Sequence, residues 1–394
     1  MSQKIRVAQV ITRFIAGAGG LTLRGALALD RDRYSVVILS SEGGPLLAEA
    51  ERAGLEVVRL RHMRPELNLL QDVEGLRELT KVLGKRRFDL VHTHSAKAGA
   101  LGRLAAHRVR VPAVVHTFHG FPFHDFQSRL RRAAYIEIER RLARITDRVL
   151  TDGSAVAAEA VRLRIAPPDR IRALASAIDP DIPPVSQRTR ERARQLIGVP
   201  TKAHVVGTVG RLDHQKAPQD MVAAVAALGR PELYCVWVGD GPLREPVERL
   251  IRRRGLANRF LLLGDRRDVP ILLPGFDVFA MSSRYEGLPC AVVEAMTCGV
   301  PVVATAVNAV PEVVIPGQTG ILAPPGAPSL LSRALAYMLD HPEERARMAA
   351  SASAHLGDRF HPRVLGRDLT ETYELALAKP TSAVLAPPEV AKQA

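Results

Sequence analysis

Two carboxylates and two cations carry the strongest chemical signal in this chain. Glu286 and Glu294 lie eight residues apart in the stretch 276–305, FDVFAMSSRYEGLPCAVVEAMTCGVPVVAT. An ionised carboxylate accepts several hydrogen bonds, so a pair near a helix start suits a polyhydroxylated ligand, while the free amides of that helix start suit an anion such as a diphosphate. Taken alone, such a pair reads equally as surface carboxylates or first-turn dipole partners. Here the intervening residues are nearly all apolar or small, which places Glu294 in a largely buried helix where a carboxylate needs a partner. Arg211 and Lys216 follow another apolar run, 205–209, in the sequence GRLDHQK. Two cations after a strand and ahead of a helix are placed to neutralise a diphosphate.

The segment 88–126, FDLVHTHSAKAGALGRLAAHRVRVPAVVHTFHGFPFHDF, holds His92, His94, His107, His116, His119 and His124, six of the twelve histidines. His-x-His and His-x-x-His spacings are compatible with zinc, but no cysteine or carboxylate completes a convincing set, and no metal site is expected. The preferred reading puts these side chains at the carboxyl ends of two strands, 90–93 and 113–117, facing a cleft. Lys97 would stand at a helix start, able to meet an anionic acceptor or simply solvated. Gly17, Gly19 and Gly20 form a Gly-rich turn after the first strand. That turn allows backbone to approach a phosphate or sugar, or is merely tight.

These groups need a scaffold that gathers strand ends. Residues 276–281 read as a strand, 282–288 as a loop with Gly287, and 289–299 as a helix opening on Pro289 and closing at Gly299. Residues 300–305 read as the next strand. Strands at 36–40, 57–60 and 90–93 alternate with helices at 21–29, 46–53 and 73–83. Such alternation argues a parallel, doubly wound sheet, whose ligands bind at the carboxyl edge. A further strand is expected at 149–153, after a basic amphipathic helix at 127–148.

The run EGLPCAVVEAMTCGVPVVAT, the motif GRLDHQK and the downstream GQTG resemble the retaining, nucleotide-sugar-dependent glycosyltransferases of family 4. The resemblance covers about residues 5–378. It implies the GT-B architecture: an α/β fold of two facing Rossmann-like doubly wound domains with a cleft between them. It implies that Arg211 and Lys216 hold the donor diphosphate, that Glu286 holds the donor sugar hydroxyls, and that Glu294 holds the ribose. His119, in HTFHG, matches the histidine that approaches donor sugar or acceptor. The implied catalytic set is His119, Arg211, Lys216 and Glu286. Gly19, Gly20, Gly210, Gly287, Leu288 and Glu294 complete the donor site, and Gly17, Lys97 and His119 lie on the acceptor side. Three departures stand out: Ser176-Ala177 where relatives carry Asn-Gly, Ala217 where Gly is usual, and Asn308-Ala309 where two glycines are common.

At 394 residues the chain has room for two domains, at roughly 150 residues each. The expected division is 1–178, an acceptor-side domain; 179–200, a hinge; 201–362, the nucleotide-sugar domain; 363–378, a helix crossing back; and 379–394, a disordered tail. Hydrophobic content of 47% and charged content of 24% are those of a globular chain, and no apolar run approaches the roughly 18 residues of a membrane helix. Arg6, Gln9 and Arg13 break any signal-peptide core. Cys235, Cys290 and Cys298 show no paired spacing, which suggests a reduced, cytoplasmic protein.

The net charge of +14 and pI near 10.3 fit either an anionic membrane surface or simply an arginine-rich composition, and with no nucleic-acid-binding signature present no nucleic acid is expected. The arginine-rich stretch 127–148 beside Phe118, Phe121, Phe123 and Phe126 reads either as an interfacial membrane contact at the inner face of the membrane or as a packed surface helix. The expected activity is retaining, metal-independent transfer from a nucleoside-diphosphate sugar, with UDP as the expected nucleotide. The expected acceptor is a glycan, a lipid-linked precursor or a small molecule, and no cofactor is needed beyond the donor. The Asp-x-Asp pairs Asp30/Asp32 and Asp179/Asp181 fall at a helix end and in the hinge, away from a donor site. The alternatives are a nucleotide-sugar epimerase and a non-catalytic basic adaptor on the same scaffold.

Overall fold

The computed structural model describes residues 3–15, 17–64, 66, 68–124 and 126–378. The expected tail, 379–394, lies outside the described residues. The chain begins with β1 (Ile5–Ile11), α1 (Ala18–Ala28), β2 (Tyr34–Ser41), α2 (Pro45–Arg52), β3 (Glu56–Leu60) and α3 (Leu69–Arg86). It continues through β4 (Leu90–His94), α4 (Ala96–Arg108), β5 (Ala113–Phe118), α5 (Arg129–Ala143), β6 (Arg148–Thr151), α6 (Ser154–Arg162) and β7 (Ile171–Ala173). The second half opens with α7 (Gln187–Ile197), β8 (His204–Val209), α8 (Pro218–Leu228), β9 (Leu233–Val238), α9 (Arg244–Arg253), β10 (Phe260–Leu262) and the short α10 (Val269–Leu272). It ends with β11 (Val278–Met281), α11 (Cys290–Cys298), β12 (Val302–Thr305), β13 (Gly320–Ala323), α12 (Pro328–Asp340), α13 (Pro342–Leu356) and α14 (Pro362–Leu377).

Two all-parallel sheets result, ordered β3-β2-β1-β4-β5-β6-β7 and β10-β9-β8-β11-β12-β13. Each reverses strand order once, between β1 and β4 and between β8 and β11. A crevice opens at the carboxyl ends of such switch points. Strands covered on both faces read as continuous apolar runs, and β4, β5, β11 and β12 are buried throughout. The GT-B architecture expected from the sequence is thus the one observed.

Three segments differ from expectation. The basic helix α5 stops at Ala143, and Arg148 already belongs to β6. Of the four phenylalanines beside it, Phe118 and Phe123 are buried with Ile136 and Val156, while Phe126 is 60% exposed, so there is no exposed aromatic cluster. The stretch 179–200 contains α7, whose Arg190 and Arg194 both pair with the buried Asp277 at 2.6 and 2.8 Å. Ile197 and Val199 join the second core, so this helix packs on the second sheet's side. Helix α14 returns to the first sheet and buries Leu365, Leu369, Tyr373 and Ala376 with Leu23, Ala26 and Tyr34.

Candidate active site

Strand ends bring the cationic and acidic residues together. After β8, Gly210 and Leu212 donate backbone hydrogen bonds to Val238 and Asp240, holding the GRLDHQK loop against the end of β9. After β11, the Ser282 hydroxyl donates to the carbonyl oxygens of Lys216 and Ala217, and the Arg284 amide donates to that of Gln215. Two loops distant in sequence are thereby sewn into one surface. On it Lys216 Nζ donates to Glu286 Oε1 at 2.6 Å and Gln215 Nε2 donates to Oε2 at 3.0 Å. Gly210 has a packing reason: a Cβ there would stand 3.0 Å from Lys216 Cε, so the lysine stem lies across a bare backbone.

The departures from the family pattern have local explanations. Ala217 has φ of 47° and Asn308 φ of 43°, the left-handed region where glycine is cheapest and asparagine is tolerated. Asn308 uses its side chain, because Oδ1 accepts the Glu286 amide hydrogen at 2.8 Å and so ties down the loop after β11. Ala177 presents its carbonyl to Arg24 Nε at 2.7 Å, tying the inter-sheet connection to α1.

Glu294 is partly buried on α11, and its carboxylate makes no hydrogen bond among the described residues. Burial pushes it above the usual carboxylate range, while the nearby Arg24 guanidinium acts in the opposite direction. The Arg211 side chain is 66% exposed and lies 3.7 Å from Asp213.

Across the cleft, the His119 backbone faces Gly287 so closely that a Cβ on Gly287 would stand 3.0 Å from the His119 carbonyl oxygen. Both ring nitrogens of His119 are engaged within the first domain, Nδ1 with Asp152 Oδ2 at 2.8 Å and Nε2 with His94 Nδ1 at 3.0 Å. The Glu312 carboxylate accepts from the amides of Ser154 and Ala155 at 3.1 and 2.8 Å, capping α6 from the opposite domain. Between these contacts lies a cavity of about 650 Å³ lined by His119, Phe121, Arg132, Tyr285, Glu286 and Asn308, among others.

Not every residue expected at the site is there. Lys97, next to the cavity-lining Ser95 and Ala96, is tied to Asp72 at 2.6 Å and to the Glu66 carbonyl, joining α4 to α3. Gly19 packs against the Phe14 backbone and Leu46, whereas the missing Cβ of Gly20 would face only the Arg24 guanidinium. Gly17 has φ of 71° at the start of α1. Leu288 is buried in the second core. Asp30 and Asp179 each accept the amide of the residue two ahead, closing local turns.

Gln9, Arg24, Asp152, Gln215, Glu312 and Tyr373 were not foreseen from the sequence, and Asn308 stood out there only as a departure from the family pattern. Gln215 sits inside the cation motif and Asn308 at a position where relatives carry glycine. The others carried no usable signal, because their roles arise from distant parts of the chain.

Comparison with known proteins agrees with this geometry. Residues 189–355 match the family described as Glycosyl transferases group 1, and residues 17–176 match the Glycosyl transferase 4-like domain. The chain is 30% identical over 314 residues to UDP-Gal:alpha-D-GlcNAc-diphosphoundecaprenol alpha-1,3-galactosyltransferase of Escherichia coli, covering 77% of this chain and 80% of that one. It is 32% identical over 376 residues to 2-deoxystreptamine N-acetyl-D-glucosaminyltransferase of Streptomyces fradiae, covering 89% and 88%. Its fold is similar to that of Anabaena Alr3699/HepE in complex with UDP-glucose, with a TM-score of 0.83 at 22% identity over 94% of this chain and 99% of that one. WaaG, a glycosyltransferase involved in lipopolysaccharide biosynthesis, gives 0.75 at 18% identity over 95% and 100%. The chain is an enzyme of GT-B architecture and belongs to the group 1 glycosyltransferases.

Proposed function

We propose that the enzyme transfers a sugar from a UDP-sugar with retention of configuration and without a metal ion. The observation that carries this reading is the cluster of Lys216, Gln215 and Glu286 at the ends of β8 and β11, beside the open Arg211 and the unpartnered Glu294. Arg211 and Lys216 would take the diphosphate, Glu286 the reacting sugar and Glu294 the ribose. The acceptor oxygen forms its bond to the anomeric carbon as that carbon's bond to the diphosphate oxygen breaks. The electron pair leaves with the diphosphate, which accepts the acceptor's proton. These two cations stabilise that developing charge. Retention rests on the family resemblance, and UDP on the donor in the E. coli relative's name and on the HepE complex. A panel of UDP-, GDP- and ADP-sugars, scored by thermal shift and by slow donor hydrolysis, tests the reading. The UDP-sugars should stabilise the protein and be hydrolysed. Isomerised donor without acceptor would point to an epimerase instead.

The acceptor is proposed to be lipid-linked and reached at the cytoplasmic face of a membrane. The support is an exposed stripe of Leu130, Ala134 and Ile138 on α5, with the exposed Arg129, Arg131 and Arg141 on the same helix. The acceptor named for the E. coli relative is a diphosphoundecaprenol. Among the described residues, no helix is long and apolar enough to cross a membrane. Vesicle co-sedimentation tests the contact: binding to anionic vesicles should weaken steeply as salt rises past about 0.1 M, where the screening length is about 10 Å. Salt-insensitive binding, or none, would count against it.

A further inference from the structure

A chain of buried polar side chains runs from the cleft to the returning helix. It starts at Asp152 and passes through His119 and His94, whose Nε2 lies 2.7 Å from Gln9 Oε1. Gln9 Nε2 is 2.9 Å from the Tyr373 hydroxyl, which is 2.7 Å from His92 Nδ1, and His92 Nε2 is 2.7 Å from Thr117 Oγ1. Gln9, His92, His94 and Tyr373 are each at most 3% exposed. The members come from β1, β4, β5, the loop after β6 and α14, so no single element accounts for the alignment.

Proton counting restricts this chain to two states. Burial holds His92 at about 3 and His94 well below its ordinary value, so each keeps one N–H and one bare nitrogen. The Asp152 carboxylate only accepts, so His119 Nδ1 carries a proton. If His119 Nε2 is bare, His94 Nδ1 donates to it, the Gln9 amide donates to His94, Tyr373 donates to the Gln9 carbonyl, and His92 donates to Tyr373. If His119 Nε2 is protonated, every one of those bonds reverses and each atom is again satisfied. The Gln9 orientation, oxygen toward His94 and nitrogen toward Tyr373, runs in the direction of the second state. Passing between the states requires the Gln9 amide to turn over.

We propose that Tyr373, Gln9 and His94 are positioning residues whose hydrogen-bond direction sets whether His119 carries a proton on Nε2 beside the cleft. The returning helix would thereby report into the catalytic centre through one hydroxyl. The titratable groups around His119 are Asp152 after β6, His92 and His94 on β4, His116 on β5, and Glu286 with its partner Lys216 on the facing domain. Of these, only His94 and Asp152 touch the ring nitrogens.

The inference rests on the transferase reading for its kinetic test but not for its spectroscopic one. The full chain is labelled with 15N-histidine, with resonances assigned by His119→Gln and His94→Gln. Gln9→Glu accepts from both His94 and Tyr373, which imposes the second-state direction on the His94–His119 bond while turning Tyr373 and His92 to that of the first. It should shift the His119 Nε2 resonance at pH 7 further toward the protonated position. Tyr373→Phe removes the hydroxyl and should move the His119 and His94 resonances together. In both variants kcat should fall about tenfold with donor KM unchanged, and the pH profile of turnover should move by about one pH unit. Identical His119 resonances in wild type and both folded variants would overturn the proposal, whatever the activity. Moved resonances with an unmoved pH profile would leave the relay intact but refute its influence on the reaction.

Discussion

Replacing Lys216 with methionine separates its charge from its packing. The lysine stem lies across Gly210, and methionine retains most of that contact while removing the ammonium. The Lys216–Glu286 pair is short, 2.6 Å, and the two side chains are only 19% and 5% exposed. Without the lysine, Glu286 keeps one side-chain donor, Gln215, and the Asn308 contact to its backbone. Removing one member of a fully buried ion pair costs about 3–5 kcal/mol, and partial solvation through the open cleft should reduce this to about 2 kcal/mol. The catalytic loss is larger in effect, because the ammonium would serve the leaving diphosphate. Losing one preorganised donor to a developing anion lowers kcat by about a hundredfold to a thousandfold. The assay is steady-state release of UDP from the best UDP-sugar, alongside a melting curve for the same variant. A lowered melting temperature with kcat within about twofold of wild type would refute the catalytic role and leave Lys216 as a loop tether.

Glu286→Ala should mainly lower kcat and change which donor sugar is accepted, whereas Glu294→Gln should mainly raise donor KM, since ribose contacts serve ground and transition states alike. Calorimetric titration with UDP checks this, and equal weakening in both variants contradicts it. Asn308→Gly keeps the left-handed backbone and loses only the bond to the Glu286 amide, worth about 1 kcal/mol, so kcat should fall with little change in melting temperature. Asn308→Ala adds the left-handed penalty of about 1–2 kcal/mol and should melt measurably lower, and identical melting of the two variants would argue against strain there.

Burial depresses His92, to about 3, and likewise His94 and His116, so below the unfolded value near 6.5 the unfolded chain binds protons that the folded chain refuses. Their favourable contribution is therefore complete above pH 6.5 and lost progressively as pH falls below it. Melting curves from pH 7 to 4.5 should fall progressively, and a flat profile would contradict the assignment.

The parts of the site written in contiguous motifs were readable in advance. Lys216 and Glu286 meet because each sits at the end of an apolar strand run, and strand ends in a parallel sheet share one edge. Glu294 was placed correctly on its helix by the Pro289 and Gly299 punctuation, although Pro289 proved to be the cap rather than the first helical residue. What escaped was tertiary. Gln9 in the first strand and Tyr373 in the last helix are 364 positions apart, and no local pattern distinguishes that tyrosine from a core aromatic. Lys97 misled for the converse reason: a lysine at a helix start looks available, yet Asp72 on the neighbouring helix claims it. The end of α5 was overrun because its arginines continue past Ala143, where charge periodicity no longer marks a helix but the first residue of β6.

The central claim is that Arg211, Lys216 and Glu294 form a nucleoside-diphosphate site completed by Glu286. Calorimetric titration of the wild-type chain with UDP, repeated with Arg211→Ala, Lys216→Met and Glu294→Gln, tests it most directly. Wild type should bind UDP saturably at 1:1, and each variant should bind it clearly more weakly, by about tenfold or more. Absence of UDP binding to wild type, or undiminished binding in all three variants, would contradict it.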